Sequence, residues 1–365
     1  MGPSSLFWLL LWSPIFHLTL STELRTFVKI KEGSWNEGQR TCVEGGGHLV
    51  TLHNRYDVQL IHKLINEPGA SAYLGLHEKQ DAHRSEWSNG EEMTNWTTEA
   101  SITYEQKCVA IQNNEWREQP CNEKNYFMCY NAWGGVVAEY QLIEQKKDWC
   151  EARLYCRKHF TDLVSINNNT QNEEALRRGA NRTFWIGLKH DNYEWEDGQC
   201  STFREGITIR YKSKGCAHQS KDKVILDSCD SGKDVICMQG DTRITVPTDP
   251  LTWEEAYDYC KENHDGLLFI RDQDEQSEVE KWLDVTGVPG PVWLGLRQSR
   301  AFGFWFWSTI DQVVDFINWR DGPPELPLSY HCGAMEAGGM WRDVNCQTKL
   351  PALCIEHFKR SLPCS

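Results

Sequence analysis

Positive charge is in short supply in this chain. Across 365 residues, 38 Lys and Arg face 52 Asp and Glu, a formal net charge of -14. A surface of that sign repels phosphate backbones and anionic lipid, so nucleic acid and acidic membrane faces are excluded as principal partners. Long hydrophobic runs are equally few. The longest, Leu6 to Leu20, is interrupted by Pro14 and falls short of the ~20 residues a spanning helix needs. Thr19-Leu20-Ser21 follows with small residues where a signal peptidase cuts, which predicts a signal peptide over residues 1–22, although no Lys or Arg precedes the run. No later run approaches that length, and the tail 356–365 is polar. Catalytic signatures are missing too. There is no nucleophile elbow, phosphate loop or paired-Cys zinc spacing, and His77 and His83 are too far apart for the two-histidine helix of a zinc protease. The expectation is a protein that is not an enzyme and carries no cofactor.

What is plentiful is cysteine and tryptophan, 15 and 17 residues. In a secreted chain, disulfides are the default reading of the cysteines. Sequons at Asn95, Asn168 and Asn181 agree with an extracellular compartment.

The cysteines and tryptophans recur in a domain-sized pattern. Trp35-x-x-Gly38-x-x-x-Cys42 returns as Trp149-x-x-Ala152-x-x-x-Cys156 and Trp253-x-x-Ala256-x-x-x-Cys260. This spacing puts Trp, a small residue and Cys on one helical face, with the small residue allowing close approach. Each helix is followed by a β-like run: His48–Leu52, Asp162–Ile166 and Gly266–Ile270. A second helix comes next, and then an apolar strand: Tyr73-Leu74-Gly75-Leu76, Trp185-Ile186-Gly187-Leu188 or Trp293-Leu294-Gly295-Leu296. Hairpin signals follow at Asn89-Gly90 and Asp197-Gly198, while the third copy has Trp307-Ser308-Thr309-Ile310 instead. Each copy closes on three Cys, and four per copy allow three pairings that sequence alone does not choose between.

Together the helix Trp and Cys, the Trp-Ile-Gly-Leu run and the four-Cys frame resemble the C-type lectin-like domain, three times over. The tandem arrangement is similar to the mannose-receptor family. The resemblance implies an α+β fold of three tandem domains, each with two helices, small antiparallel sheets and a long loop region, stapled by disulfides. The expected boundaries are 23–130, 138–238 and 242–355, with a tail at 356–365. It also implies outer bridges Cys42–Cys129, Cys156–Cys237 and Cys260–Cys354, and inner bridges Cys108–Cys121, Cys216–Cys229 and Cys332–Cys346. Cys150 and Cys200, both in the second copy, are candidates for one further bridge. Cys364 is then left over, a candidate for a disulfide-linked dimer.

Members of this family that bind sugar through Ca²⁺ use Glu-Pro-Asn or Gln-Pro-Asp in the long loop and Trp-Asn-Asp before the inner Cys, because the ion takes 6–8 hard oxygens. In the first copy Ala100-Ser101-Ile102 and Trp116-Arg117-Glu118 stand at these places, leaving Glu118 alone. In the second, Val224-Ile225-Leu226 replaces the second motif. The third is nearest, with Pro323-Pro324-Glu325 and Trp341-Arg342-Asp343, and Tyr330 or His331 where an intervening acid would fall. Glu325 and Asp343 are the remaining metal candidates, with Arg342 bringing a cation among them. Trp319, Glu325, Arg342 and Asp343 are the candidate ligand-binding residues. Trp319 and the Phe302–Trp307 cluster offer aromatic faces to a sugar or an apolar protein surface, while Trp341 reads as core. The resemblance implies a secreted protein that binds a glycan or glycoprotein without the usual calcium bridge. A calcium-independent protein-binding module and the ectodomain of an anchored endocytic receptor are the alternatives.

Overall fold

The computed structural model describes residues 23–65, 67, 69–79, 85–91, 93, 106–132, 139–204, 206–209, 215–221, 223–322 and 331–357. Among them no helix is long and apolar enough to cross a membrane. The first copy supplies β1 (Thr26–Gly33), α1 (Trp35–Glu44), β2 (His48–Leu49), α2 (Arg55–Ile65), β3 (Ala72–Glu78), β4 (Ser85–Trp87), β5 (Lys107–Gln112), β6 (Glu115–Pro120) and β7 (Asn125–Asn131). The second supplies β8 (Glu139–Lys147), α3 (Trp149–His159), β9 (Asp162–Leu163), α4 (Asn169–Gly179), β10 (Phe184–His190), β11 (Tyr193–Trp195), β12 (Ile207–Ile209), β13 (Gly215–Ser220), β14 (Lys223–Ser228) and β15 (Lys233–Gln239). The third supplies β16 (Thr242–Thr245), α5 (Trp253–Asn263), α6 (Gln273–Thr286), β17 (Val292–Gln298), β18 (Trp305–Trp307), β19 (Gln312–Val313), β20 (His331–Met335), β21 (Trp341–Asn345) and β22 (Cys354–His357).

The same local chemistry starts the first helix of every copy. Ser34, Asp148 and Thr252 each cap the helix, and Glu37, Glu151 and Glu255 reach back to close a capping box. The predicted face is the buried one: Trp35, Gly38 and Cys42, then Trp149, Ala152 and Cys156, then Trp253, Ala256 and Cys260. Each indole spends its N–H on the apolar strand, with Nε1 of Trp35, Trp149 and Trp253 donating to the carbonyls of Leu74, Ile186 and Leu294 at 2.7, 2.8 and 2.9 Å. A buried indole donor is thereby satisfied rather than stranded. Gly75 earns its place in β3 by close approach, since a Cβ there would sit 3.0 Å from the Leu49 carbonyl oxygen.

The strand pairing departs from three contiguous domains. β1 pairs with β15 and β3 pairs with β11, β13 and β15, so the first half of copy one is completed by the second half of copy two. Conversely β4, β5 and β7 pair with β10, and β7 with β8 and β9. Two composite units result, and their cores mix the copies: Leu52, Ile61 and Leu74 pack with Trp195, Leu226 and Ile236, while Val109 and Met128 pack with Val164, Ile186 and Leu188. The segments 23–130 and 138–238 thus do not each close on themselves in the structure but exchange halves. The physical reason is the repeat itself. Both copies carry equivalent strands, so either final strand completes either first strand.

The disulfides follow the exchange. Cys42 bonds Cys237 and Cys129 bonds Cys156, replacing the expected Cys42–Cys129 and Cys156–Cys237. Cys237 lies opposite Val28 of β1, which carries it to α1, and Cys129 lies opposite Leu163, beside α3. The inner bridges Cys108–Cys121 and Cys216–Cys229 stay within their composite units. Cys150 bonds Cys200 and so staples one unit to the other.

Residues 242–357 close on themselves. The sheet runs β19-β18-β17-β20-β21, β16 pairs with β22, and Cys260–Cys354 and Cys332–Cys346 both lie inside. This unit docks on the composite pair through charge and rings. Lys158 donates to the Lys261 carbonyl at 3.2 Å and to the His264 carbonyl, at the carbonyl-rich end of α5. Tyr56 of α2 meets Trp282 of α6 with ring centroids 6.2 Å apart.

Candidate functional site in the third unit

β20 and β21 carry the residues that a sugar-binding loop would use. They pair with His331 opposite Asn345, Gly333 opposite Asp343, Ala334 opposite Arg342 and Met335 opposite Trp341. Along β21 Trp341 and Val344 are buried and Arg342 is exposed; three residues apart, the two buried side chains lie on opposite faces of the strand and enter separate clusters of the core. Trp341 is 0 % exposed and its Nε1 donates to Gln276 Oε1 at 2.9 Å. The Gln276 amide in turn donates to Glu280 Oε1 at 2.7 Å and to the Gly339 carbonyl at 2.9 Å. The indole expected in the core is locked there.

Trp319 is a different matter. Read as a candidate stacking face, it is 8 % exposed, with Trp305 at a centroid distance of 4.6 Å and Trp341 at 6.0 Å. The backbone beside it bridges to β21, with Trp341 N–H donating to Asn318 O at 2.8 Å and Arg320 N–H to Trp341 O at 3.0 Å. Buried against these two rings, Trp319 moves from ligand surface to core.

The charged candidates are committed to other side chains. Arg342 Nη1 lies 3.0 Å from Glu336 Oε1, and Arg320 pairs with the other oxygen of the same carboxylate. Glu336 thus gathers two guanidinium groups across the turn that joins β20 to β21. Asp343 Oδ2 takes a hydrogen bond from His331 Nδ1 instead of facing Arg342. The structure does not bring Arg342 and Asp343 together as one pair. Glu325, Pro323, Pro324 and Tyr330 lie outside the described residues, as do the first-copy triplet Ala100-Ser101-Ile102, Asn95 and Cys364. Among the described residues no three His, Cys, Asp or Glu side chains converge as a metal site.

The corresponding places in the composite units are further from ligand chemistry. Glu118 on β6 lies 3.3 Å from His190 Nε2, again a carboxylate taken up by a histidine. Val224, Ile225 and Leu226 on β14 are all buried. Glu336 and His190 were missed at the level of sequence, and His331, seen at the place of the intervening acid, was not assigned as the partner of Asp343. A motif comparison reads only the positions of the motif, and these partners arrive from the facing strand or the turn.

A surface that the sequence hinted at is the β18–β19 hairpin. Trp305 and Trp307 point inward and Phe306 outward, while Phe302 in the preceding turn is 80 % exposed. The period-two alternation inside Trp305-Phe306-Trp307 was the available signal.

Comparison with known proteins places this geometry. The C-type lectin domain model matches residues 31–131, 145–239 and 249–356. Human C-type mannose receptor 2 is 20% identical over 406 residues, covering 88% of this chain and 27% of the receptor. The bovine secretory phospholipase A2 receptor is 24% identical over 420 residues, covering 90% of this chain and 28% of the receptor. The chain thus spans just over a quarter of the length of these curated relatives. Among solved structures, the mouse scavenger receptor C-type lectin carbohydrate-recognition domain aligns with 34% of this chain and 94% of its own, at 24% identity and a TM-score of 0.30. With three matched segments covering most of its length, the chain belongs to the C-type lectin domain family, as a tandem member similar to the mannose receptors.

Proposed function

We propose that this chain is an extracellular, non-enzymatic recognition protein that binds its ligand without a calcium bridge, and that the ligand is a protein surface. The observation that carries this reading is the fate of the third-unit carboxylates. Asp343 is occupied by His331, and Glu336 by Arg320 and Arg342. A calcium ion needs 6–8 oxygens with free lone pairs, and two guanidinium groups next to the loop oppose a divalent cation directly. The residues present do not fit the ion, and no step of recognition is routed through one. The name of the secretory phospholipase A2 receptor states a protein ligand for one similar protein, which supports the same class here.

Carbohydrate recognition without calcium is the second reading, favoured by the similarity to a receptor named for mannose. A glycan array probed with the mature protein, in millimolar calcium and again in excess chelator, separates the two. No glycan bound in either condition is the expected result. Binding lost in chelator overturns the calcium-free assignment and points to Glu325 with Asp343. Binding that survives chelator moves the ligand from protein to sugar. Secretion and glycosylation belong to the same proposal. Asn168 and Asn181 are both exposed, and a shift in gel mobility on glycosidase treatment of the secreted chain is the expected sign.

A further inference from the structure

We propose that the outer face of the β18–β19 hairpin is the docking surface for the protein ligand, and that this ligand presents a basic amphipathic segment, large apolar side chains flanked by Lys or Arg. The inference rests on the protein-ligand reading above and names its surface and its partner chemistry.

Period-two alternation builds the face. On β18, Trp305 and Trp307 enter the core and Phe306 leaves it, directly opposite Val313 of β19. The chain continues the alternation, with Val314 and Phe316 packed on the core and Val313, Asp315 and Ile317 turned out. Val313 and Ile317 are 55 % and 56 % exposed. At the hairpin's other end Phe302 and Phe304 stack at 6.0 Å with planes 9° apart, and Phe304 meets Phe306 edge-on at 6.3 Å. The turn holding Phe302 out is braced. Gln298 Nε2 donates to the Gly303 carbonyl at 2.8 Å, and Ser299 N–H donates to the Phe304 carbonyl at 2.8 Å. Gly303 supplies the positive φ of 76° that the turn needs. Rigid exposed aromatics are the residue type that anchors protein interfaces at low entropic cost.

The other two units carry charge at this place. The position of Phe306 is Glu86 on β4 and Glu194 on β11, each exposed and ion-paired, Glu86 with Lys79 just past the end of β3 at 3.1 Å and Glu194 with the cross-strand His77 at 3.4 Å. In the third unit the cross-strand neighbour of Phe306 is Arg297, whose guanidinium turns instead to the Trp253 ring at 4.9 Å and to Glu254 at 3.4 Å. A solvated ion pair has been replaced by an apolar strip.

Charge selects the occupant. Asp311 and Asp315 are exposed along the strip and have no ion-pair partner among the described residues, on a chain of net charge -14. Lys and Arg on a partner meet those carboxylates at the rim, and they are also attracted to the open faces of Phe302 and Phe304. A second copy of this chain would bring aspartates against aspartates, which disfavours self-association through this face.

The test uses the full mature chain and two short synthetic peptides with the same amphipathic pattern, one of Leu and Lys, one of Leu and Glu, read by fluorescence anisotropy at physiological salt. The expected result is binding of the Leu/Lys peptide only, weakened about tenfold or more by the double variant Phe302→Ser, Phe304→Ser. A loss of about threefold is expected for Asp311→Asn with Asp315→Asn, as for rim charges. The substitutions are all at exposed side chains, and an unchanged melting temperature shows that the fold is intact. Absence of Leu/Lys binding, or binding that neither double variant alters, overturns the proposal. So does a wild-type dimer in sedimentation that the Phe variant dissolves, because the occupant is then a second copy. Glycan binding on the array that the Phe variant leaves intact overturns the protein-ligand reading separately, without touching the peptide result.

Discussion

The composite pair and the third unit are built from the same landmarks and yet close differently. In the third unit β17 pairs with β18 and β20 of its own copy, and both of its bridges are internal. In the pair, β3 and β10 have traded hairpins, so that Trp195 lies opposite Leu76 and Trp87 opposite Leu188. The place of the trade is tied down. Lys79 N–H donates to the Asn192 carbonyl at 2.9 Å, and buried Asp191 receives Gln106 at 2.8 Å and Arg204 at 3.0 Å. Burial alone would push the Asp191 carboxyl up, but Arg204 and Lys189 beside it hold it below its usual value. Local sequence therefore fixes each half-domain, while the choice of which halves join belongs to the long-range pairing.

The sharpest way to break this comparison is to cut the chain between Ala132 and Glu139. With Cys42–Cys237 and Cys129–Cys156 in place, the two fragments are expected to run as one species on a non-reducing denaturing gel and to part on reduction. Contiguous domains would part without reductant once the chain is cut, and a mapped Cys42–Cys129 peptide would refute the exchange. The same contrast predicts that residues 241–357 fold when expressed alone. Residues 23–132 alone leave β1 without β15 and β5 without β10 and are expected to remain unfolded or to associate.

Much of this fold was legible in residues, and the exchange shows where legibility stopped. Trp35, Gly38 and Cys42 announced a buried helical face because a spacing of three and seven puts them there, and the capping residues Ser34, Asp148 and Thr252 set its start. Nothing in such local spacing distinguishes Cys129 from Cys237 as the partner of Cys42, since both sit in the same strand of the same repeat. The candidate site was legible in place but not in role. Trp341-Arg342-Asp343 marked the strand, but Arg342 answers to Glu336 across a turn and Asp343 to His331 on the facing strand. Trp319 looked available until Trp305 was seen to cover it.

Substitution in the buried helix face sharpens the comparison next. Trp253→Ala and Trp149→Ala each remove a fully buried indole and are expected to cost about 3–5 kcal/mol. Calorimetry should show the Trp253 variant losing stability in the third unit alone. The Trp149 variant should lower both composite units together, because the Cys150–Cys200 bridge and the traded hairpins couple them.

Acid probes the junction between the two regions. His264 sits at the end of α5 near Glu356 at 4.0 Å, with Arg243 on β16 and Lys147 from the composite pair also facing it. Burial, opposed by Glu356 and aided by Arg243 and Lys147, pushes its imidazole down to about 4 from 6.5. Above pH 6.5 the ring is neutral whether folded or unfolded, and stability is unaffected. Between 6.5 and about 4 the unfolded chain takes the proton and the folded one does not, so stability falls as pH falls, by about 3 kcal/mol over the window. His53, part-buried and likewise pushed down, acts with the same sign. Denaturant titrations across this range should show the loss, and His264→Asn should reduce it. A His264→Asn profile that matches the wild type would exclude this residue as the source.

The smallest effect tests whether equivalent caps do equal work in the two regions. Ser34 and Thr252 accept the same N–H, from Glu37 and Glu255, both at 3.3 Å, and both glutamates reach back to the cap at 2.8 and 2.9 Å. Loss of the hydroxyl leaves one helix N–H to water in each case, so Ser34→Ala and Thr252→Ala are each expected to cost about 1 kcal/mol. The composite unit holding α1 is cross-linked by Cys42–Cys237 and further stapled by Cys150–Cys200, whereas the third unit unfolds from within one stretch of chain. Equal costs in the two variants would mean that capping acts locally and is indifferent to how the halves are joined. A cost for Ser34→Ala well above that for Thr252→Ala would mean that α1 also positions the traded strands, so that its start matters to two units instead of one.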